Sequence, residues 1–108
     1  MRRGDIWIVG GGIYAKKPRP ALVIQDELFE LSESLTVIPM TSQLNDAPLF
    51  RVRIFATETT GLRSDSDVMI DKITTIKQNN VTDRVGKVSS NDLVSIERLM
   101  LAHLGLAR

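Results

Sequence analysis

The chain has 108 residues with a formal net charge of +1, and its 43% hydrophobic and 25% charged residues are typical of one globular domain spanning residues 1–108. The absence of cysteine excludes a disulfide framework and a cysteine-based metal site. No apolar run approaches the roughly 20 residues that cross a bilayer, and the N-terminus does not resemble a secretory signal, so we expect a cytoplasmic protein with no membrane partner.

Short apolar segments predict a series of β-strands. The first strand is Asp5–Val9, and the three glycines at 10–12 end it. Further strands are predicted at residues 21–25, 35–41, 50–55, 67–71, 74–76 and 84–88. Pro39 cannot donate a hydrogen bond to a ladder, so it predicts an edge or a bulge within its strand.

The hydrophobic period changes near the end of the sequence. Ser89 or Ser90 can cap a helix, and Asp92 is placed to complete a capping box with Ser89. Apolar residues follow at helical spacing from Leu93 to Leu104, and a glycine then supplies a stop signal. Many short strands before one helix predict a mainly β (α+β) fold. In a chain of this size we expect the strands to close into a small barrel, because closure removes exposed edges.

Several familiar chemistries lack the residues that they need. The glycines at 10–12 follow a strand, but Pro18 and Pro20 prevent the helix that would bind a pyrophosphate. His103 is the only histidine, which excludes two-histidine RNA cleavage within one chain and leaves a zinc site without ligands. We therefore expect no metal and no cofactor.

Three motifs together resemble the MazF/PemK toxin family. They are RGDIW at residues 3–7, RPALVI at residues 19–24 and VIPMTS at residues 37–42. Residues 68–71 and 74–76 are similar to a later strand pair of that family, and GKV at 86–88 before the capped helix is similar to its ending. The resemblance covers nearly the whole chain.

This resemblance implies a small SH3-like β-barrel with a C-terminal α-helix, usually assembled as a homodimer. It also implies a toxin that cleaves single-stranded RNA and is neutralised by a cognate antitoxin. The family's catalytic arginine and threonine fall on Arg19 and Thr41. Ser42 follows that threonine as in many members, and Asp71 matches an aspartate implicated in some, so both are candidates for RNA binding.

The chemistry of RNA cleavage suits these residue types. RNA supplies its own nucleophile, the 2′-OH, so an enzyme needs a proton acceptor, a donor to the leaving 5′-oxygen and a cation for the phosphorane charge. Arg19 has a planar fork suited to phosphate, and Thr41 can donate a hydrogen bond to a phosphate oxygen. From residue type alone, Arg19 equally fits a surface ion pair and Thr41 an ordinary strand position.

The charges are spread unevenly along the chain. Residues 1–20 carry a balance of +4, residues 21–49 carry −5 and the remainder carries +2. Lys16 and Lys17 are therefore further candidates for RNA binding, and an acidic antitoxin segment is expected on the same basic surface. A solvated surface with uneven charge explains the same distribution.

Two rival functions stay open at this stage. The loop before Arg19 contains neither the Glu nor the His that many family members carry, so no general base is assigned. Non-catalytic gyrase-binding toxins share the barrel but need an aromatic-containing C-terminus, whereas this chain ends HLGLAR. An SH3-like protein-binding module is the third interpretation. Val94, Leu99 and Leu101 lie outside the inner stripe of the predicted helix, which agrees with a homodimer.

Overall fold

The computed structural model describes residues 1–10 and 17–107. Within these ranges the chain forms seven strands and one α-helix: β1 (Asp5–Val9), β2 (Arg19–Val23), β3 (Ser34–Thr41), β4 (Arg51–Ile54), β5 (Ser66–Met69), β6 (Thr74–Lys77), β7 (Val81–Lys87) and α1 (Ser90–His103). All the strand pairings are antiparallel. Each predicted strand is present, β1 with the predicted bounds and the others with shifted ends, so the predicted mainly β fold with a C-terminal helix is confirmed.

Two of the shifts in strand ends have local causes. β2 begins at Arg19, two residues before the predicted start, because Arg19 and Pro20 already pair with β1. β5 ends at Met69, where the chain enters a short 3-10 turn at Ile70–Lys72. This turn buries Ile70 completely and leaves Asp71 exposed to solvent. The prediction that Asp71 lies in a strand was therefore wrong.

β3 is the strand around which the sheet is organised. Its residues 34–37 pair with β6, and its residues 40 and 41 pair with β5. Pro39 lies between these two registers, where β3 has a partner only on its β2 side. The proline therefore occupies a local edge, as its missing N–H predicts.

The predicted barrel is only loosely correct. The strand order is β4-β5-β3-β2-β1-β7, with β6 on the remaining part of β3, and no ladder among the described residues joins the two ends. The sheet therefore curls without closing. The physical reason is that β3 divides its free side between β6 and β5, so the sheet branches there instead of continuing round.

Apolar side chains are buried on both faces of the central strands. The larger cluster includes Ile6, Leu22 and Ile38 and is covered by α1 through Ile96. A smaller cluster on the other face contains four buried residues: Ala21, Val23, Leu35 and Val37. Because neighbouring strand residues point to opposite faces, burial of both faces explains the continuous apolar run of β2.

The helix begins where its cap predicts. Ser89 is the N-cap, and its hydroxyl accepts a hydrogen bond from the backbone N–H of Asp92 at 3.1 Å. Val94 and Leu101 are exposed, as expected for a second apolar surface, but Leu99 packs against the main core, so its assignment to that surface was wrong. None of the helices in the described part of the chain is long and apolar enough to span a bilayer.

Candidate active-site groove

A groove of about 620 Å³ opens where β2, the end of β3, the loop before β5 and β7 meet. Its volume is within the range of ligand-binding pockets. Apolar residues and polar or charged residues share its walls: Ile8, Pro18, Arg19, Pro20, Met40, Ser42, Gly61, Leu62, Arg63, Ser64, Ser66, Asp83, Arg84 and Val85. Three arginines and one aspartate give the groove a positive balance, which favours an anionic ligand.

Arg19 lies on this groove with its side chain exposed. It is the first residue of β2 and pairs with Val9 of β1, so its backbone belongs to the sheet. Within the described residues, 1–10 and 17–107, the ion pairs involve other arginines. Arg19 has no carboxylate partner among them. The surface ion pair considered from sequence is thus absent from the described residues, and the guanidinium is available to an anion from outside.

Arg84 is held on the groove by Asp5. Its Nη2 donates to Oδ1 of Asp5 at 3.4 Å, and the other carboxylate oxygen accepts from the backbone N–H of Arg2 at 3.0 Å and from Nε1 of Trp7 at 3.4 Å. Burial alone would raise the pKa of Asp5, but these hydrogen bonds hold it below its usual value. The carboxylate is therefore charged at neutral pH, and the RGDIW motif positions a groove arginine.

The structure brings Ser42, but not Thr41, onto the groove with Arg19. Thr41 is the last residue of β3 and is half-buried. Its Oγ1 accepts a hydrogen bond from the backbone N–H of Gln43 at 3.1 Å. A hydroxyl that accepts one hydrogen bond still has its own proton to donate. Thr41 is thus the neighbour in sequence of Ser42, which lines the groove. The hydrogen bond from Gln43 leaves the proton of the Thr41 hydroxyl free to be donated.

A charged cluster fixes the chain that follows these two hydroxyls. Asp67 of β5 is only 1% exposed, and its Oδ2 accepts from the backbone N–H of Asn45 at 2.9 Å. Arg53 donates from Nε to Oδ1 of Asp67 at 3.1 Å. Arg51 lies 3.5 Å from Oδ2 and also donates to the carbonyl of Gln43 at 2.8 Å.

The ionisation of Asp67 follows from these contacts. Burial raises the pKa of its carboxyl, whereas hydrogen bonds from Asn45, Arg53 and Arg51 lower it, and the balance leaves the pKa below its usual value. The same partnership raises the pKa of Arg53. The cluster therefore stays fully charged at neutral pH and ties the segment after Ser42 to β4 and β5.

The remaining predicted site residues lie away from the groove walls. Lys17 is exposed beside Pro18, which does line the groove, and Lys16 lies outside the described residues. Asp71 is exposed on its 3-10 turn and is not a lining residue. Nowhere in the described ranges do three His, Asp or Glu side chains come close enough together to hold a metal ion.

Sequence reasoning missed Arg63, Asp83 and Arg84 as groove residues. Arg63 falls between two predicted strands, and Asp83 precedes the strand predicted at 84–88. The Thr60-Gly61 pair is the one local signal, because a glycine after a polar turn indicates a fixed loop geometry. No local pattern indicates that this loop meets β7.

Comparison with known proteins decides the family of the chain. A family model described as a PemK-like, MazF-like toxin of type II toxin–antitoxin systems matches residues 2–104. The chain belongs to this family. It is 47% identical to a probable endoribonuclease MazF of Mycolicibacterium smegmatis, over 99% of both chains. It is 31% identical to endoribonuclease MazF9 of Mycobacterium tuberculosis, over 98% of both.

Solved structures of more distant relatives share the fold. The Mycobacterium tuberculosis toxin MazF-mt6 aligns with a TM-score of 0.82 at 21% identity, covering 96% of this chain and 99% of that one. A mycobacterial endoribonuclease in complex with its cognate antitoxin aligns with a TM-score of 0.83 at 18% identity, covering 100% and 98%. The curled sheet with its C-terminal helix is thus an arrangement that these toxins share.

Proposed function

We propose that this chain is a toxin endoribonuclease that cleaves single-stranded RNA without a metal ion. The observation that carries the proposal is the groove that Arg19 and Ser42 line together, in which Arg19 forms no ion pair with a carboxylate of the described residues. Family membership and the close relative named as a probable endoribonuclease support the same activity. The single-stranded RNA that we propose as substrate is messenger RNA. The proposed site of action is therefore the cytoplasm.

In this mechanism the 2′-oxygen of the RNA attacks the adjacent phosphorus. A bond forms between phosphorus and the 2′-oxygen, and the bond to the 5′-oxygen breaks. The products carry a 2′,3′-cyclic phosphate and a 5′-OH. Arg19 stabilises the charge on the phosphorane oxygens, and the Thr41 hydroxyl donates to one of them.

Asp83 is the group that we assign to accept the proton of the 2′-OH. It is the one carboxylate among the described lining residues of the groove, and it lies on β7, which pairs with the strand that carries Ile8. The first loop supplies no acid or histidine for this step. The leaving 5′-oxygen takes its proton from water, to which the groove is open.

Incubation with a long RNA in EDTA tests this function. We expect cleavage to continue, with 5′-OH and cyclic-phosphate ends at the mapped sites. An Arg19→Ala protein purified in the same way controls for contaminating ribonuclease. Strict dependence on added magnesium, or 5′-phosphate ends, would overturn the mechanism. Inhibition of DNA gyrase without RNA cleavage would favour the non-catalytic alternative.

A homodimer is the assembly that we propose, with a second copy on α1. Along this helix runs a mostly apolar depression of about 420 Å³, with these lining residues: Arg3, Val94, Glu97, Arg98, Met100, Leu101, Leu104 and Leu106. Val94 and Leu101 are 43% and 42% exposed in the single chain. Burial of such a surface against a copy of itself removes apolar area from water.

A cognate antitoxin is the second partner that we propose. A structurally similar mycobacterial endoribonuclease is described in complex with its cognate antitoxin. On this chain an acidic antitoxin segment suits the basic surface near Lys17 and Arg19, where it would compete with RNA phosphates. Charge reversal at Lys17 should weaken the affinity for both antitoxin and RNA, and unchanged affinities would exclude this surface.

A further inference from the structure

Arg63 is the second arginine of the groove that has no carboxylate partner among the described residues. Its side chain is exposed on the loop between β4 and β5, and it lines the groove together with Arg19. In residues 1–10 and 17–107 the ion pairs belong to Arg3, Arg51, Arg53 and Arg84. Two unpaired guanidiniums on different elements therefore face one groove.

The chain before Arg63 is fixed by an unusually close backbone contact. Gly61 has φ +68°, and a Cβ on it would lie 2.0 Å from the carbonyl oxygen of Val85. On the facing strand, a Cβ on Gly86 would lie 2.3 Å from the carbonyl oxygen of Thr60. Only glycine permits this approach of two backbones. The N–H of Lys87 then donates to the carbonyl of Thr59 at 3.0 Å and ties the loop to β7.

Thr60 closes the same loop from inside. It is 5% exposed, and its hydroxyl donates to the carbonyl of Phe55 at 2.9 Å while it accepts from the N–H of Thr57 at 2.9 Å. The Thr57 hydroxyl accepts in turn from the N–H of Thr60 at 3.1 Å. Leu62 is buried in the main core immediately before Arg63. The backbone that carries Arg63 is thus held from both sides of the turn.

The chain after Arg63 is also tied down. The hydroxyl of Ser66 donates to the carbonyl of Ser64 at 3.0 Å, and Oδ1 of Asp65 accepts from the N–H of Ala56 at 2.8 Å. A fixed backbone on both sides reduces the entropy lost when the side chain binds a ligand. An arginine presented in this way, with no internal acid, is suited to an anion from outside the protein.

We propose that Arg63 binds a phosphate of the RNA substrate that neighbours the scissile phosphate held by Arg19. The proposal rests on the proposed ribonuclease function. A nucleic-acid strand is the ligand class that presents regularly spaced phosphates, and a groove with unpaired arginines on two elements offers such a strand two phosphate contacts. The guanidinium of Arg84 already donates a hydrogen bond to Asp5. Arg84 therefore contributes to the electrostatic field of the groove more than it offers free donors to a phosphate.

Arg63 is a binding residue in this assignment, and its kinetic effect differs from that of Arg19. A phosphate that does not react carries the same charge in the ground state and in the transition state, so its contact lowers KM and leaves kcat nearly unchanged. We expect Arg63→Ala to raise KM by roughly 10-fold, the size of one charged hydrogen-bond contact. Arg63→Lys should restore most of the affinity, since the positive charge remains.

The salt dependence of binding tests the contact directly. The probe is a single-stranded oligonucleotide of mixed sequence with 2′-deoxyribose throughout, which cannot undergo the proposed transesterification. For single strands the slope of log K against log salt is about −0.7 for each neutralised phosphate. Arg63→Ala should make the slope shallower by about 0.7, whereas Lys77→Ala, an equal change of charge at an exposed position on β6, should leave it unchanged.

The outcomes separate this inference from the proposed function. Wild-type cleavage with an unchanged slope and KM in a folded Arg63→Ala protein overturns the role of Arg63 alone. A slope change without cleavage of any RNA by the wild-type protein keeps the phosphate contact and overturns the ribonuclease. Equal slope changes in the Arg63→Ala and Lys77→Ala proteins would show a general field effect and would also overturn the specific contact. Thermal melts of each variant exclude unfolding as the cause.

Discussion

Arg53 of β4 and Asp67 of β5 are direct cross-strand partners, joined by a hydrogen bond of 3.1 Å from Nε to Oδ1. Asp67 is also paired in register with Thr41 of β3, so the three residues form one row across three strands. The other oxygen of Asp67 holds Asn45, just beyond Ser42. This pair therefore links the stability of the sheet edge to the positions of Thr41, which we propose for catalysis, and Ser42, which we propose for RNA binding.

Asp67→Asn should destabilise the fold by about 1–3 kcal/mol at pH 7, because a buried charged acceptor of several hydrogen bonds is lost. The folded pKa of Asp67 is lowered, so its ionisation stabilises the fold above its unfolded pKa of about 3.9. That contribution is lost progressively as the pH falls from this value through the lower folded pKa. Thermal melts should show a wild-type advantage at pH 7 that narrows in acid. A constant gap across this range would contradict the ionic role.

Arg19→Ala should reduce single-turnover cleavage by about 100- to 1,000-fold, the usual cost of removing one preorganised charge stabiliser. Arg19→Lys should recover only part of the rate, because an ammonium cannot reproduce the planar fork. Lys77→Ala, on β6 and outside the groove, serves as the charge-matched control. A well-folded Arg19→Ala protein that cleaves at the wild-type rate would remove Arg19 from the mechanism.

Thr41→Val should lower kcat, by less than Arg19→Ala does, because a neutral donor is weaker than a cation near developing charge. Thr41→Ser retains the hydroxyl and should retain most of the rate. Ser42→Ala should mainly raise KM, since we assign Ser42 to RNA binding. The opposite pattern, with kcat lost in Ser42→Ala and preserved in Thr41→Val, would transfer the catalytic hydroxyl to the residue that lines the groove.

Asp83→Asn should lower kcat by about 100- to 10,000-fold at neutral pH, because an amide cannot accept the proton of the 2′-OH. The deficit should shrink at higher pH, where hydroxide takes over that step. Asp71→Asn is the matched control, since Asp71 is exposed outside the groove. If Asp71→Asn instead abolishes cleavage and Asp83→Asn does not, the role of proton acceptor belongs to Asp71.

Leu101→Glu should convert a homodimer into a monomer, because it places a charge in the apolar depression on α1. Leu28→Glu is the control, as Leu28 is even more exposed and lies on the loop between β2 and β3. Light scattering at micromolar concentration measures the mass of each protein. A wild-type monomer, or a Leu101→Glu dimer, would exclude α1 as the interface.

The local elements of this protein were predictable because they depend on nearby residues. β1 is found at Asp5–Val9, as the sequence indicates. Ser89 caps α1 by accepting a hydrogen bond from the backbone N–H of Asp92, three residues further along the chain. Pro39 marks a local edge for a reason contained in its own chemistry, the missing N–H. Arg19, which lines the groove, was also predicted as a site residue, although only through the family resemblance and not from its residue type.

Tertiary structure alone decided which side chains share the groove with Arg19. Arg84 reaches the groove through a contact with Asp5, 79 residues away, and no local pattern encodes such a pairing. Arg63 depends on the fit of Gly61 against β7, a contact between two backbones that leaves no periodic signal. The barrel was predicted only loosely for the same reason. Periodicity predicts that strands exist, whereas the division of β3 between two partners depends on how the whole sheet packs.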